Sequence, residues 1–170
     1  MELLLDRPAA AFDPARGLLC NEHFQMGYVT NDMAKAEDYF RKHFAVKEFR
    51  PTEGESSDGG KISVRSAWIG NVMYEIICAS GPGMEIYSEL LQGDGFAIRL
   101  HHFGYLIPDD AGWEMLEETV ACGGWTVRQR SDTPGYVRAM YVEAPQLGNY
   151  LEFVLPAPAL LERFRATPVA

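Results

Sequence analysis

Two glutamates stand where glutamate is least expected. Glu75 lies inside NVMYEIICAS and Glu152 inside NYLEFVLP, apolar runs with the branched and aromatic residues of buried strands. An ionised carboxylate in such a run is costly unless something compensates it, and a metal ion is one such partner. Each glutamate follows a polar strand residue at a fixed distance. Gln25 precedes Glu75 by 50 residues and His102 precedes Glu152 by 50, so the whole pair recurs after 77 residues.

The segments around these residues repeat in the same order. Residues 24–31, FQMGYVTN, read as a strand, and NDMAKAEDYFRKHF reads as a helix, with Met33, Ala36, Tyr39, Phe40 and Phe44 at helical spacing and Asn31 or Asp32 as cap. VKEFRPTE, KISVRSAWIG and NVMYEIICAS then give three strands, divided by a turn at 56–60 and by Gly70-Asn71. After a linker helix near 84–91 and the loop QGDG, LHHFGYLIP begins the pattern again. DDAGWEMLEETVACGG supplies a helix capped by Asp109 or Asp110 and stopped at Gly123, and TVRQRS, YVRAMYVEA and NYLEFVLP close the second unit.

A repeated unit that cannot bury its own apolar face packs against its copy. The expected class is therefore α+β, with one domain over 1–170 made of two tandem βαβββ modules, 22–80 and 99–156, forming a curled mixed sheet around a central cleft. Residues 81–98 are the linker helix and loop. Residues 157–170 form a C-terminal tail with a short helix, left free to dock on a neighbour once prolines 156 and 158 end the last strand.

Composition narrows the partners. The 47% apolar content over 170 residues suffices for one buried core, and 24 acidic against 15 basic residues give a net charge of −9, which repels phosphate backbones and anionic lipid. No nucleic-acid partner is expected, and no membrane association, since no run approaches the roughly 20 apolar residues of a span. MELLLDRPAA lacks the basic flank and cleavage site of a signal peptide, so a soluble, unprocessed, cytoplasmic protein is expected. Cys20, Cys78 and Cys122 are too scattered for a disulfide framework or a thiolate zinc site, and buried packing is the expected role of Cys78 and Cys122.

QMGYVTNDMAKAEDYF and HFGYLIPDDAGWEML resemble the two repeat starts of the vicinal oxygen chelate superfamily, in its glyoxalase and methylmalonyl-CoA epimerase branch, over about residues 22–155. In that family a His or Gln metal ligand stands two residues before a small residue, as Gln25 and His102 stand before Gly27 and Gly104, and later glutamates sit in apolar strands. The resemblance implies a metal site of Gln25, Glu75, His102 and Glu152. This mixed set of hard and borderline donors suits Zn, Mn, Co, Ni or Fe(II) without choosing among them. It further implies a small oxygenated substrate bound through the metal and a proton moved next to its carbonyl, in an isomerase, epimerase or glyoxalase-type lyase step, with Glu152 the leading base and Glu75 the second. A homodimer accords with family habit. Glu75 stands where methylmalonyl-CoA epimerases tend to have glutamine, and nothing identifies a glutathione site.

Alternatives remain at several positions. His23 lies two residues before Gln25, on the same face of a regular strand, and is the alternative first ligand. Together with His102 and Glu152 it would give the two-histidine, one-carboxylate triad of an Fe(II) extradiol dioxygenase, leaving Glu75 unexplained. A non-catalytic sequestering protein of bleomycin-resistance type is the third reading. Strand alternation sends His101 to the face opposite His102, and His43 reads as a solvated helix residue. Tyr105, Trp125, Tyr136 and Tyr141 are aromatic strand residues whose ordinary place is the core, with a pocket wall as the other option.

Overall fold

The computed structural model describes Asp13 and residues 16–170, so the N-terminal stretch considered above lies outside the described residues. After a single 3-10 turn at Leu18–Cys20, the elements run β1 (Glu22–Thr30), α1 (Met33–Phe44), β2 (Arg50–Glu55), β3 (Lys61–Ile69), β4 (Val72–Ser80), α2 (Glu85–Ser88), β5 (Ile98–Leu106), α3 (Asp110–Cys122), β6 (Val127–Thr133), β7 (Val137–Ala144), β8 (Asn149–Pro156) and α4 (Pro158–Arg165). Asp32 caps α1 by accepting from the Lys35 amide at 3.1 Å, and Asp109 caps α3 by accepting from the Gly112 amide at 2.8 Å. The second strand of the first half starts at Arg50, later than VKEFRPTE suggests, because Val46 and Phe49 are drawn into the core beneath α1 instead of alternating along a strand.

All eight strands form one sheet in the order β2-β3-β4-β1-β5-β8-β7-β6. β1 and β4 are parallel, β5 and β8 are parallel, and the halves meet along the antiparallel pair β1–β5. Strands lie about 4.8 Å apart, so the two edge strands of a flat sheet this wide would be more than 30 Å from each other. Yet Arg50 and Thr52 of β2 and Gln129 and Ser131 of β6 line the same cavity of about 240 Å³. The sheet is curled into a half-barrel, and the cavity is its trough.

The convex side is closed by helices. In the second half, Trp113, Leu116 and Val120 of α3 pack on Met140, Val142, Leu151 and Phe153; in the first, Ala36 and Phe40 of α1 pack on Ala67 and Ile76. Met140, Val142 and Phe153 are fully buried, and each such side chain contributes about 1.5–3 kcal/mol relative to exposure. Alternation then turns Glu152 and Tyr141 into the trough. The two ends of the trough are covered by the short helices. Tyr87 of α2 reaches in at one, and Leu160, Arg163 and Phe164 of α4 at the other.

The tail is not free. The Trp68 indole donates to the Phe164 carbonyl at 2.9 Å, the Trp68 amide to Pro168 at 2.8 Å, and the Ala170 amide back to Trp68 at 2.8 Å. This short parallel bridge extends β3, so the segment expected to be available to a neighbour is occupied by its own chain. Cysteine placement also departs from expectation. Cys122 is exposed at the end of α3, where the helix turns outward before Gly123, and Cys78 is only half-buried.

The seam between the halves relies on two glycines. Gly27 sits opposite His102 and Gly104 opposite Gln25. A Cβ on Gly27 would fall 1.9 Å from His102 Cε1, and one on Gly104 would fall 2.9 Å from Gln25 Cβ. Each half therefore seats the other half's polar residue. Gly27→Ala is expected to lower the unfolding free energy by about 1–3 kcal/mol or more through overpacking. Gly95→Ala, where a Cβ meets open space, should leave it unchanged or slightly raised in urea denaturation.

Candidate active site

Gln25, Glu75 and Glu152 line the trough, and His102 is buried beside the two glutamates. His102 is fully buried, and its Nε2 lies 3.3 Å from Glu152 Oε2 and 3.8 Å from Glu75 Oε2. Gln25 stands beside Glu75 and the Tyr141 hydroxyl beside Glu152, each favouring the ionised form of its carboxylate. His23 does not join them. Its ring lies against Phe103 and Tyr105, whereas the His102 ring reaches both glutamates.

Two β-bulges explain this sorting. Between His23 and Gln25 the ladder slips by one, leaving Phe24 as an extra residue on β1, so His23 and Gln25 no longer share a face. Between Gly27 and Tyr28 the slip leaves His101 extra on β5, and alternation fails there too. His101 is not turned to the opposite face from His102: the two Nδ1 atoms lie 2.9 Å apart. Phe24 and His101 occupy equivalent places in the two halves, each one residue before a trough residue. Phe24 packs on Phe164 of α4, and His101 stacks on Tyr87 of α2 at 5.1 Å.

The histidine pair has a determined proton order. His101 Nε2 lies 3.0 Å from the Ile86 carbonyl, which only accepts, so that nitrogen carries hydrogen. Burial first, then the charge of His102, pushes the His101 pKa down to about 3, so the ring is neutral and its Nδ1 accepts from His102 Nδ1–H. His102 thereby presents Nε2 to the two glutamates. The 3.3 Å contact to Glu152 is off the axis of a hydrogen bond, and Nε2 is a buried atom without a hydrogen-bond partner.

The two carboxylates are driven apart in protonation. Burial, and then the charge of Glu152, raises Glu75 to about 7, with His102 and the Gln25 amide opposing. Burial also acts to raise Glu152, but the charge and contact of His102 and the Tyr141 hydroxyl outweigh it and hold it below the usual carboxylate range. His102 is raised in turn: burial opposes its charge, and Glu152 and Glu75 together prevail. Tyr141 is pushed far up by burial and then by Glu152, which keeps its hydroxyl a donor.

A cation fits this donor set chemically. Among the described residues no group of three His, Cys, Asp or Glu side chains is arranged to hold a metal ion as it stands. The 3.3 and 3.8 Å separations around the orphaned Nε2 are nonetheless near the roughly 3–3.5 Å between neighbouring donors on an ion with bonds of about 2.1 Å. Gln25 is the adjoining fourth donor. Of the four aromatic residues, Tyr136 and Tyr141 line the trough, whereas Tyr105 is core and Trp125 lies at the surface away from it. His43 is exposed on α1.

A half-barrel of two βαβββ units with polar residues at the equivalent seam positions defines the vicinal oxygen chelate fold. Solved structures agree. The chain is similar to methylmalonyl-CoA epimerase from Mycobacterium tuberculosis at 14% identity and TM-score 0.56, with 83% of this chain and 91% of that one covered. It is similar to a methylmalonyl-CoA epimerase in complex with methylmalonyl-CoA and NH4+ at 12% identity and TM-score 0.56, over 81% and 96% of the chains. A hypothetical protein from Bacillus halodurans C-125 matches at 15% identity and TM-score 0.52, over 79% and 94%. At these identities the likeness is one of fold. No protein-family profile matches the chain, and no curated protein does.

Two outcomes follow. Replacing His101 with Phe should remove the acceptor that fixes His102, so the 15N resonances of His102 shift toward a mixture of tautomers and divalent-ion affinity falls about 10–100-fold. In the ion-free protein, a carboxyl raised to about 7 stabilises the fold relative to an ionised one below its unfolded value near 4.5, and that contribution is lost as pH rises through 7. Glu75→Gln should therefore flatten the decline in urea-measured stability between pH 5 and 8, by about 1–3 kcal/mol.

Proposed function

We propose that this protein is a divalent-metal-dependent enzyme that moves a proton at a carbon next to a carbonyl, in an isomerase, epimerase or glyoxalase-type lyase reaction. The supporting observation is the pair Glu75 and Glu152, facing one trough across His102 with their protonation pushed in opposite directions. Such a split pair assigns an acid and a base.

Glu152, held ionised by His102 and Tyr141, is the base that takes the proton from carbon. Glu75, the second carboxylate lining the trough, returns one from the other side. Tyr141 and the buried histidine pair fix the base, and the curled sheet excludes bulk water from the reacting carbon. Gln25, Glu75, His102 and Glu152 are the residues that would hold a divalent ion, which would supply Lewis-acid stabilisation of negative charge on the substrate oxygen. The extradiol reading loses its second histidine, because the bulge at Phe24 sets His23 away from His102.

The test combines metal content with proton exchange. Protein purified without chelator should bind about one divalent ion per chain, as expected for one quartet of ligands. His102→Ala should abolish this binding. Thioester, 2-oxoaldehyde and catechol compounds incubated in D2O should show deuterium incorporation next to a carbonyl in one class, and Glu152→Gln should slow it about 10²–10⁴-fold. Absence of ion uptake from Zn, Mn, Co, Ni and Fe(II) together with absence of exchange would remove this reading, leaving ligand sequestration to be pursued.

A further inference from the structure

The trough has a second pole. Arg50 on β2 and Arg163 on α4 both line it, and Arg50 lies two strands from Glu75. Among the described residues Arg41, Arg65, Arg128, Arg130, Arg138 and Arg165 each hold a carboxylate. Arg50, Arg99 and Arg163 show no ion pair, in a chain of net charge −9, and of these three Arg50 and Arg163 line the trough. Their hydrogen bonds go to neutral acceptors on each other's element: Arg50 Nη2 donates to the Ala166 carbonyl and Arg163 Nη2 to the Thr52 hydroxyl. Arg50 Nε is buried with no hydrogen-bond partner. Two guanidinium groups gathered at one end of a cavity and left without a counter-charge leave bidentate donors for an anion.

Comparing the halves shows which side of the trough is open. Arg50, Ser66 and Glu75 are direct partners across β2, β3 and β4, and Gln129, Tyr141 and Glu152 are direct partners across β6, β7 and β8. These two lines are equivalent by the repeat. In the second, the Tyr141 ring fills the middle and its hydroxyl stands beside Glu152. In the first, Ser66 leaves the middle open, and the line ends on Arg50, about 10 Å from Glu75 at two strand spacings.

We propose that the substrate is a small carbonyl compound with an anionic far end, lying along Arg50, Ser66 and Glu75, with its reacting carbonyl at the glutamates and a terminal carboxylate or phosphate-type group held by Arg50 and Arg163. The assignment of the reacting end rests on the proton-transfer reading; the anion pole stands on the arginines. Size supports a small molecule, since about 240 Å³ falls below the roughly 300–1,000 Å³ of pockets for drug-sized ligands, and α4 roofs the arginine end.

The test is calorimetric binding of three matched probes, butyrate, glutarate and 4-phosphonobutyrate, which share a three-carbon spacer and differ at the far end. It is done on protein with Zn2+ and on protein treated with chelator. At least one diacid should bind on the order of tenfold more tightly than butyrate, the scale of a charge-assisted pair. Whichever diacid binds better identifies carboxylate or phosphate as the natural terminal group. Arg50→Gln and Arg163→Gln should each bring the ratio toward one, and Arg163→Lys should retain part of it. If Arg163→Gln loosens α4, seen as a lower unfolding temperature, Arg50→Gln decides. Equal binding of all three probes, a ratio unchanged in Arg50→Gln, or no binding of any probe at millimolar concentration would overturn the anion pole. A retained ratio without deuterium exchange would overturn proton transfer alone, and exchange without the ratio would overturn the anion pole alone.

Discussion

The close approach of β1 and β5 governs everything built on this sheet. Gly27 opposes His102 and Gly104 opposes Gln25, so each polar side chain stands over a position that has no side chain of its own. The exchange is reciprocal between the two halves. It explains why Gln25 and His102 lie at the join and not within either unit, and why both are so deeply buried. The convex core under α1 and α3 supplies the stability against which this buried polar centre is maintained.

The same repeat that builds the centre makes its two sides unequal. His101 and Phe24 are structural equivalents, but one belongs to a proton-ordering chain ending on the Ile86 carbonyl and the other to an aromatic contact with α4. Likewise Tyr141 stands where the first half has Ser66. One side of the trough is filled and fixes the charge of Glu152; the other is open toward Arg50. A symmetric scaffold has acquired a polarity along which a substrate is oriented.

Much of this was legible from residue spacing. The order of elements, the helix caps at Asp32 and Asp109, and the recurrence of Gln25–Glu75 as His102–Glu152 all follow from local pattern, and those four residues do meet. What spacing could not show is what the bulges at Phe24 and His101 change. Period-two reasoning puts His23 with Gln25 and separates His101 from His102, and a single extra residue in each ladder reverses both statements. The glycines three residues on, Gly27 and Gly104, were the available signal, since close backbone approach and bulges favour glycine, but glycine alone does not say which residue is extra. Arg50 and Arg163 were invisible for a different reason. They are far apart in the chain and meet through the return of α4 onto β2, which no local pattern encodes.

The bulge at His101 also determines what kinds of change the site can survive. Deleting one residue from β5 at that point would restore regular pairing with β1 and align more of the backbone ladder, while moving every later side chain of the strand to the other face. A substitution near His102 alters one contact; a change of length inverts the assignment of the whole strand. The centre is thus encoded as an irregularity in an otherwise ordered sheet, and a more regular β5 would be a less capable one.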